Sequence, residues 1–515
     1  MANELGSHGS AVLECAEFYS KLATVLLALV AAWVFLFRER KPRLPPGPFP
    51  LPIIGNFHLL GQLPHQTLAA LSLKYGPLMS LRLGSALTLV VSSPDVAKEF
   101  LNNHDRVFAH RPASAAGKYL MYNFSDIVFS PDGAYWRQLR KLCALQLLNA
   151  RSIESLSCTR EEEVSAMICS IINSDRPVSV TKTVSAVTNA MICRMAFGRK
   201  YSDQDLIDSR GVISTIKETT LLLGSPNIGD YIPYLACLDL QGINRRLKKL
   251  NKTLDGLLEK IIDEHVSQNN PDAAPDLVDV LLAASADEAR EFQISRDNIK
   301  AVINDILVAG TYMSAIVIEW AMSEVLRNPT VLKKLQDELE RVIGMERMVR
   351  ESDLPSLVYL QAVAKETLRL HPPAPLGLPH LSMEDCTVLG YEIPRGTRLL
   401  INLWAIGRNP NSWEDAESFK PERFMEDGSV GSKVENFESI PFGAGRRGCP
   451  GRELATRVLE FVVAQLLQCF NWKLPDEISC DQELDMTEGI NGPTIPRKHE
   501  LFAVPTPRLP IPLLC

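Results

Sequence analysis

The sequence has no Cys-x-x-Cys pair, no internal repeat, no low-complexity block and no surplus of positive charge. Lys+Arg number 54 against 61 Asp+Glu, so the net charge is −7 and the concentrated basic face of a nucleic-acid binder is missing. The eleven cysteines are odd in number and scattered, mostly in apolar surroundings. That pattern reads as buried thiols of a reducing compartment rather than a disulfide framework. With 46% apolar and 22% charged residues the composition is globular, which excludes a largely disordered or collagen-like chain. A length of 515 residues suggests about three domains as a soft prior, although large single-core enzymes break it.

Charge is also absent from Leu22 to Phe37. Counted from Phe18, with Lys21 able to snorkel, the apolar stretch is long enough for one bilayer crossing. Arg38, Arg40, Lys41 and Arg43 follow it, and Glu4, Glu14 and Glu17 precede it. A cleaved signal peptide has the opposite order. The expectation is a short lumenal tail over 1–17, an uncleaved transmembrane anchor over 18–37 and a cytosolic remainder. A basic, proline-rich hinge over 38–50 comes next, containing Leu44-Pro45-Pro46-Gly47-Pro48, which is stiff and cannot continue a helix. The sequons at Asn123 and Asn251 are then cytosolic and stay bare.

The remaining chain, 51–515, reads as one mainly α domain with a minor β portion. Strand-like runs occupy Leu78–Leu83 and Leu87–Ser92. Helical periodicity dominates from about 134 to 345, most clearly from Ser295 to Arg327, where Asn328-Pro329 stops it. Short strands are expected near Thr387–Leu389 and Arg398–Leu403.

The chemistry concentrates in Pro441-Phe442-Gly443-Ala444-Gly445-Arg446-Arg447-Gly448-Cys449-Pro450-Gly451. Gly443 to Gly448 fits a dinucleotide-binding G-x-G-x-x-G. That motif also needs a preceding strand, a helix opening within it and a later acid, and no acid lies between Phe461 and Leu474. The alternative is a haem-thiolate loop. There Cys449 is the axial iron ligand, glycines turn backbone N–H groups toward its sulfur, and Phe442 shields it from water. Arg447 is available for a propionate, and Pro450 can start the following helix. The residues match F-x-x-G-x-R-x-C-x-G without a gap, and on them the chain resembles the cytochrome P450 family, in wording its plant microsomal A-type branch.

The resemblance extends over about residues 45–510. It implies the cytochrome P450 fold, preceded here by one N-terminal transmembrane helix. It selects one of four Glu-x-x-Arg pairs, Glu366 and Arg369 in Lys365-Glu366-Thr367-Leu368-Arg369, and joins it to Arg423 of Pro421-Glu422-Arg423-Phe424 as a buried structural triad. It assigns Trp136 and Arg140, four apart on a helix, to one propionate, and His380, where many relatives have arginine, to the other. A histidine there would make that contact depend on pH. It also places Arg111 just before the substrate loop.

One element departs from the family. The long helix should contain [A/G]-G-x-[D/E]-T-[T/S] and instead reads Ala309-Gly310-Thr311-Tyr312-Met313-Ser314. Gly310, which lets dioxygen approach, is present, but the acid and alcohol that move protons are Tyr312 and Met313. Methionine has no proton to donate, and a tyrosine near its ordinary value of about 10 is a poor shuttle at neutral pH. Thr311 and Ser314 are the candidate hydroxyls left. Tyr312, Met313, Leu376, Leu378 and Ile490 are the candidate pocket residues.

The resemblance thus implies a haem monooxygenase of the endoplasmic-reticulum membrane, carrying haem b (iron protoporphyrin IX). It would take O2 and electrons from NADPH through a separate NADPH–cytochrome reductase, with a cytochrome b-type donor as a further possible source. Arg137, Lys141 and Arg446 would form the basic docking face. The substrate is a small hydrophobic plant specialised metabolite such as a terpenoid, phenolic or alkaloid, oxidised by hydroxylation. Coupling, ring formation or rearrangement without net oxygen insertion is the alternative that the altered helix raises.

Overall fold

A computed structural model describes residues 42–146, 148–174, 177–201, 211–267, 276–287, 292–426, 429–430, 437–475 and 484–513. The expected tail and anchor over 1–37, and the first part of the hinge, lie outside them. The fold is mainly helical with small sheets, as expected from the periodicity.

A four-stranded sheet follows the hinge. β1 (Leu78–Leu83) pairs antiparallel with β2 (Ala86–Val91), β2 pairs parallel with a later strand Arg398–Ile401, and that strand takes His380–Leu381 on its far side. The turn between β1 and β2 uses Gly84 at φ +59°. The hinge lies against β1: Ser80 N–H donates to Pro46 O at 2.9 Å, and its hydroxyl to Pro45 O at 2.7 Å. A Cβ on Gly47 would sit 1.9 Å from Ser80 O, so only glycine allows this approach.

The helical part is built round one element. α1 (Ala134–Gln146), α2 (Val180–Phe197), α3 (Arg296–Arg327), α4 (Val358–Leu370) and α5 (Arg452–Cys469) each send side chains to one central cavity. α3 is 32 residues, about 48 Å long at 1.5 Å per residue. Ser295 caps it, its hydroxyl accepting from Asn298 N–H while the Asn298 side chain accepts from Ser295 N–H. Among the described residues it is the only helix long and apolar enough to cross a membrane, with a mean hydropathy of 1.8 over its most apolar window. It is nevertheless a core helix, since 78% of that window is buried against α2, α4, α5 and their neighbours.

Three sequence boundaries shift. The second strand runs from Ala86 to Val91, and the hairpin strand from Cys386 to Val388. The strand expected through Leu403 stops at Ile401, because Asn402 caps a short helix, Leu403–Gly407, through its bond from Ala405 N–H. Seven described cysteines are free thiols: 143, 158, 193, 237, 386, 449 and 469. Cys169 is disulfide-bonded, which the reading of reduced thiols did not anticipate.

The expected triad forms. Arg369 Nε donates to Glu366 Oε2 at 2.6 Å and Arg423 Nε to Glu366 Oε1 at 3.0 Å, with Glu366 and Arg369 both fully buried. Arg369 also donates to the carbonyls of Gly407 and Ala416, tying α4 to the segment before the cysteine loop. A buried carboxylate facing two guanidiniums cannot be removed without stranding charge. Glu366→Gln is expected to cost about 3–5 kcal/mol and to lower the thermal midpoint accordingly; a change below about 1 kcal/mol, the exposed-pair range, would show the triad to be dispensable.

Candidate functional site

A cavity of about 340 Å³ lies between α3 and the cysteine loop. Its floor is Phe442, Gly443, Cys449 and Gly451; its roof is Ile306, Ala309, Gly310, Met313, Ser314 and Val317 of α3. Arg111, Arg140, His380 and Arg447 stand on its wall.

The loop is shaped to present the sulfur. Gly443 and Gly445 adopt φ +67° and +65°, and a Cβ on Gly445 would meet Leu101 O at 2.2 Å. Cys449 N–H donates to Phe442 O at 2.8 Å, which brings the aromatic ring beside the thiol. The α-helix opens at Arg452 after Gly451, later than Pro450 suggested, and Gly443–Gly448 contains only the single 3-10 turn Gly445–Arg447, so the dinucleotide geometry is absent. Burial pushes the Cys449 thiol up; the Gly451 N–H and the charges of Arg140 and Arg452 pull it down. These opposing groups surround the sulfur at the positive end of α5.

The cations on the wall are hydrogen-bonded to carbonyls. Arg111 donates to the carbonyls of Val128, Leu378 and Pro379 at 3.2, 2.7 and 2.9 Å. Arg140 donates to Gly448 O. Arg447 donates to Ala109 O, Ile127 O and Ser130 O at 2.6, 3.3 and 2.5 Å, and lies 4.0 Å over the Trp136 ring. Among the described residues none of the three forms a salt bridge with a carboxylate. Burial lowers all three, Arg111 to about 9 and Arg447 to about 10, and they repel one another. Several buried cations beside one apolar cavity, with a thiol on its floor, form a donor set suited to iron and to an anionic rim. The residues present therefore fit a haem: Cys449 for the metal, Arg111, Arg140 and Arg447 for the carboxylates, and the glycine floor for a flat ring.

Two propionate assignments change in detail. Trp136 is buried and does not line the cavity; its Nε1 donates to Ile127 O at 2.9 Å, and its ring carries Arg447 and Arg140. It acts as their platform. His380 Nδ1 faces Phe108 O at 2.9 Å. With that nitrogen donating, Nε2 is an acceptor. Burial, then Arg111, pushes the ring down to about 3, so in this arrangement it is neutral throughout the physiological range rather than pH-dependent there. A carboxylate beside it would act in the opposite direction.

The α3 residues divide. Met313 and Ser314 reach the cavity; Thr311 and Tyr312 are not on its lining. Thr311 is buried and its hydroxyl has no partner. Tyr312 packs in the core, where Asn491 and Thr494 hydrogen-bond its hydroxyl, and burial pushes it up to about 12. Leu376 and Leu378 line the cavity, while Ile490 is 48% exposed at a loop tip and does not. Gly310 lines the cavity, but its missing side chain is also used by α2: a Cβ there would meet Ile192 Cδ1 at 2.7 Å. Ile192, Asp305 and Pro493 also line the cavity without having been singled out. Asp305 was findable, as a carboxylate in the apolar run Val302–Gly310.

The comparisons with known proteins agree with this geometry. A family model described as Cytochrome P450 matches residues 45–500. Cytochrome P450 750A1 of Pinus taeda is 46% identical, covering 95% of this chain and 96% of its own. Strychnine-11-hydroxylase of Strychnos nux-vomica is 41% identical, covering 94% and 96%. A solved zebrafish cytochrome P450 with abiraterone superposes with a TM-score of 0.72 at 28% identity, over 86% of this chain and all of that one.

Gly310→Ala is expected to destabilise by about 1–3 kcal/mol through overpacking, and Ile192→Val, which removes the clashing carbon, to return most of it. Thermal unfolding of the four proteins in the cycle checks this; additive effects would show that Gly310 does not contact α2.

Proposed function

The chain belongs to the cytochrome P450 family and is a plant-type cytochrome P450 monooxygenase; from that premise we propose that it hydroxylates a small hydrophobic plant specialised metabolite, with O2 and electrons from NADPH passed on by a separate reductase. The observation that carries the reading is the Cys449 sulfur on the floor of an apolar cavity, facing α3 and flanked by carbonyl-held arginines. When bound, haem b supplies activation of dioxygen and the redox chemistry.

The chain supplies the rest. Cys449 would hold the iron as a thiolate; the Gly451 N–H, Arg140 and Arg452 favour the anion against burial, which raises the thiol. Arg111, Arg140 and Arg447 receive the propionates, with Trp136 as the platform beneath Arg140 and Arg447. Phe442 keeps water from the sulfur, and Ile306, Ala309, Leu376 and Leu378 form a dry wall that favours an apolar substrate. Of the hydroxyls on this stretch of α3, Ser314 borders the cavity and holds a proton where it is needed, while Thr311 contributes to packing. Met313 on that same wall favours a second reading, in which the product is coupled, cyclised or rearranged without added oxygen, since a non-donor side chain stands where protons are delivered.

The charge order around 18–37 supports anchoring in the endoplasmic-reticulum membrane. Phe49, Ile53 and Tyr234, 85%, 66% and 65% exposed, share a shallow groove beside the hinge and would lie against it. Arg137, Lys141 and Arg446 are exposed near the loop, the first and last paired with Asp132 and Asp105 at 3.3 and 3.4 Å. They would dock the reductase, or a cytochrome b-type donor, through salt-sensitive contacts.

Cys449→Ser is expected to abolish the thiolate-type band in the reduced carbon-monoxide difference spectrum and NADPH-dependent oxidation in microsomes with reductase. Retention of both would overturn the assignment. Ser314→Ala should raise the hydrogen peroxide released per NADPH consumed, and Met313→Thr should lower it. Unchanged leakage in both would remove α3 from proton delivery.

A further inference from the structure

Loop 125–130 meets α3 at two carboxyl groups. Asp126 is fully buried and Asp305 is 5% exposed. Asp126 Oδ2 accepts the N–H groups of Val128 and Phe129 at 3.2 and 2.8 Å, and Asp305 Oδ2 accepts Ile127 N–H at 2.7 Å. The two carboxyls hold the successive N–H groups of one short loop, which makes them neighbours, and each influences the other's ionisation. Asp126 Oδ1 is buried with no protein donor facing it. Neither residue has a salt-bridge partner among the described residues. Two ionised carboxylates offer only acceptors and repel each other, so a buried neighbouring pair with an unpartnered oxygen favours a proton on one of them.

The loop so fixed is the one that seats the cations. Ile127 O takes Trp136 and Arg447, Val128 O takes Arg111, and Ser130 O takes Arg447. Ile127 and Val128 themselves line the cavity.

We propose that Asp126 and Asp305 share one proton at neutral pH, and that this protonated pair is a positioning device holding loop 125–130, and with it the arginine wall, against α3. Burial raises both carboxyls; Asp126 raises Asp305 further while Asp305 lowers Asp126, so the proton rests on Asp305 and the charge on Asp126. The charged and titratable groups facing them are Arg111 and Arg447, which favour ionisation of Asp126, and Tyr135 and Cys143 of α1, which burial keeps neutral. In the unfolded chain both carboxyls ionise at ordinary values, whereas the folded pair keeps a proton. Above that ordinary range the folded state therefore binds more protons, and stability falls as pH rises until the pair itself ionises. Loss of the last proton sets two anions against each other and releases the loop.

Asparagine replaces the proton permanently: in Asp126→Asn the amide N–H donates to Asp305, and its oxygen still accepts from Val128 and Phe129. Infrared difference spectra of the full chain at pH 7 should show a protonated-carboxyl stretch in the parent that is missing from both Asp126→Asn and Asp305→Asn. The parent's thermal midpoint should fall with pH more steeply than that of Asp126→Asn. With haem bound, the Kd of a neutral phenyl-triazole probe, read from the Soret shift, should weaken by up to about tenfold per pH unit above the pair's last ionisation, and this dependence should vanish in Asp126→Asn. Identical infrared spectra, or the same pH dependence in parent and Asp126→Asn, would overturn the proposal. The infrared result needs no haem, so it stands apart from the thiolate assignment.

Discussion

If Cys449 is the proposed thiolate ligand, a sulfur that must be anionic inside an apolar cavity sets the terms for the structure around it. Burial alone drives Cys449 toward the neutral thiol. The chain answers with positive potential: an N–H from Gly451, the opening turn of α5, and two arginines. The loop that carries the sulfur also turns through Gly443 and Gly445 at φ +67° and +65°, a backbone that most residues cannot adopt. The long buried helix faces this loop across the cavity, and the Glu366 triad fixes α4 and the 407–420 segment that precedes it. The triad contributes position more than net stability, because burying three charges costs about as much as their attraction returns.

The same need explains the arginine wall. Arg111, Arg140 and Arg447 are held by carbonyls, not carboxylates, and each is lowered by burial. A fold with no use for an anion would have neutralised them or left them in solvent. Carbonyl ligation keeps the guanidiniums oriented, and among the described residues none of the three is tied up in a salt bridge, although Asp126 and Asp132 act on two of them at longer range.

Much of this was legible from the chain because the chemistry is written at fixed short spacing. Phe442 to Gly451 is one local loop, and Glu366 with Arg369 is one helical turn, so sequence distance and spatial distance agree. What was not legible depends on which way a helix residue points. Thr311, Tyr312, Met313 and Ser314 are successive, about 100° apart, and only packing decides that the last two face the cavity. Gly310 was read as room for dioxygen, and its contact with Ile192 comes from a helix more than a hundred residues earlier. His380 was legible as a position and not as a charge state, because Phe108 O and Arg111 reach it from distant segments. The two-residue slip at the end of the strand Arg398–Ile401 reflects the Asn402 cap, which pattern alone underweights.

The departure at 312–313 is accommodated rather than merely tolerated. A tyrosine hydroxyl inside a core needs partners, and Asn491 and Thr494 from the 488–497 turn supply them. That turn also packs closely on another helix, where a Cβ on Gly224 would meet Pro493 at 2.2 Å. Tyr312 therefore ties α3 to the turn whose Pro493 borders the cavity, and Met313 presents an adaptable apolar surface to the same space. An acid and an alcohol at these positions would give α3 a proton route and lose that tie. With the relay reduced to Ser314, whatever else carries protons must enter with the substrate or from the loop side of the cavity, where Asp305 stands eight residues before Met313 on the same helix, about 12 Å along its axis.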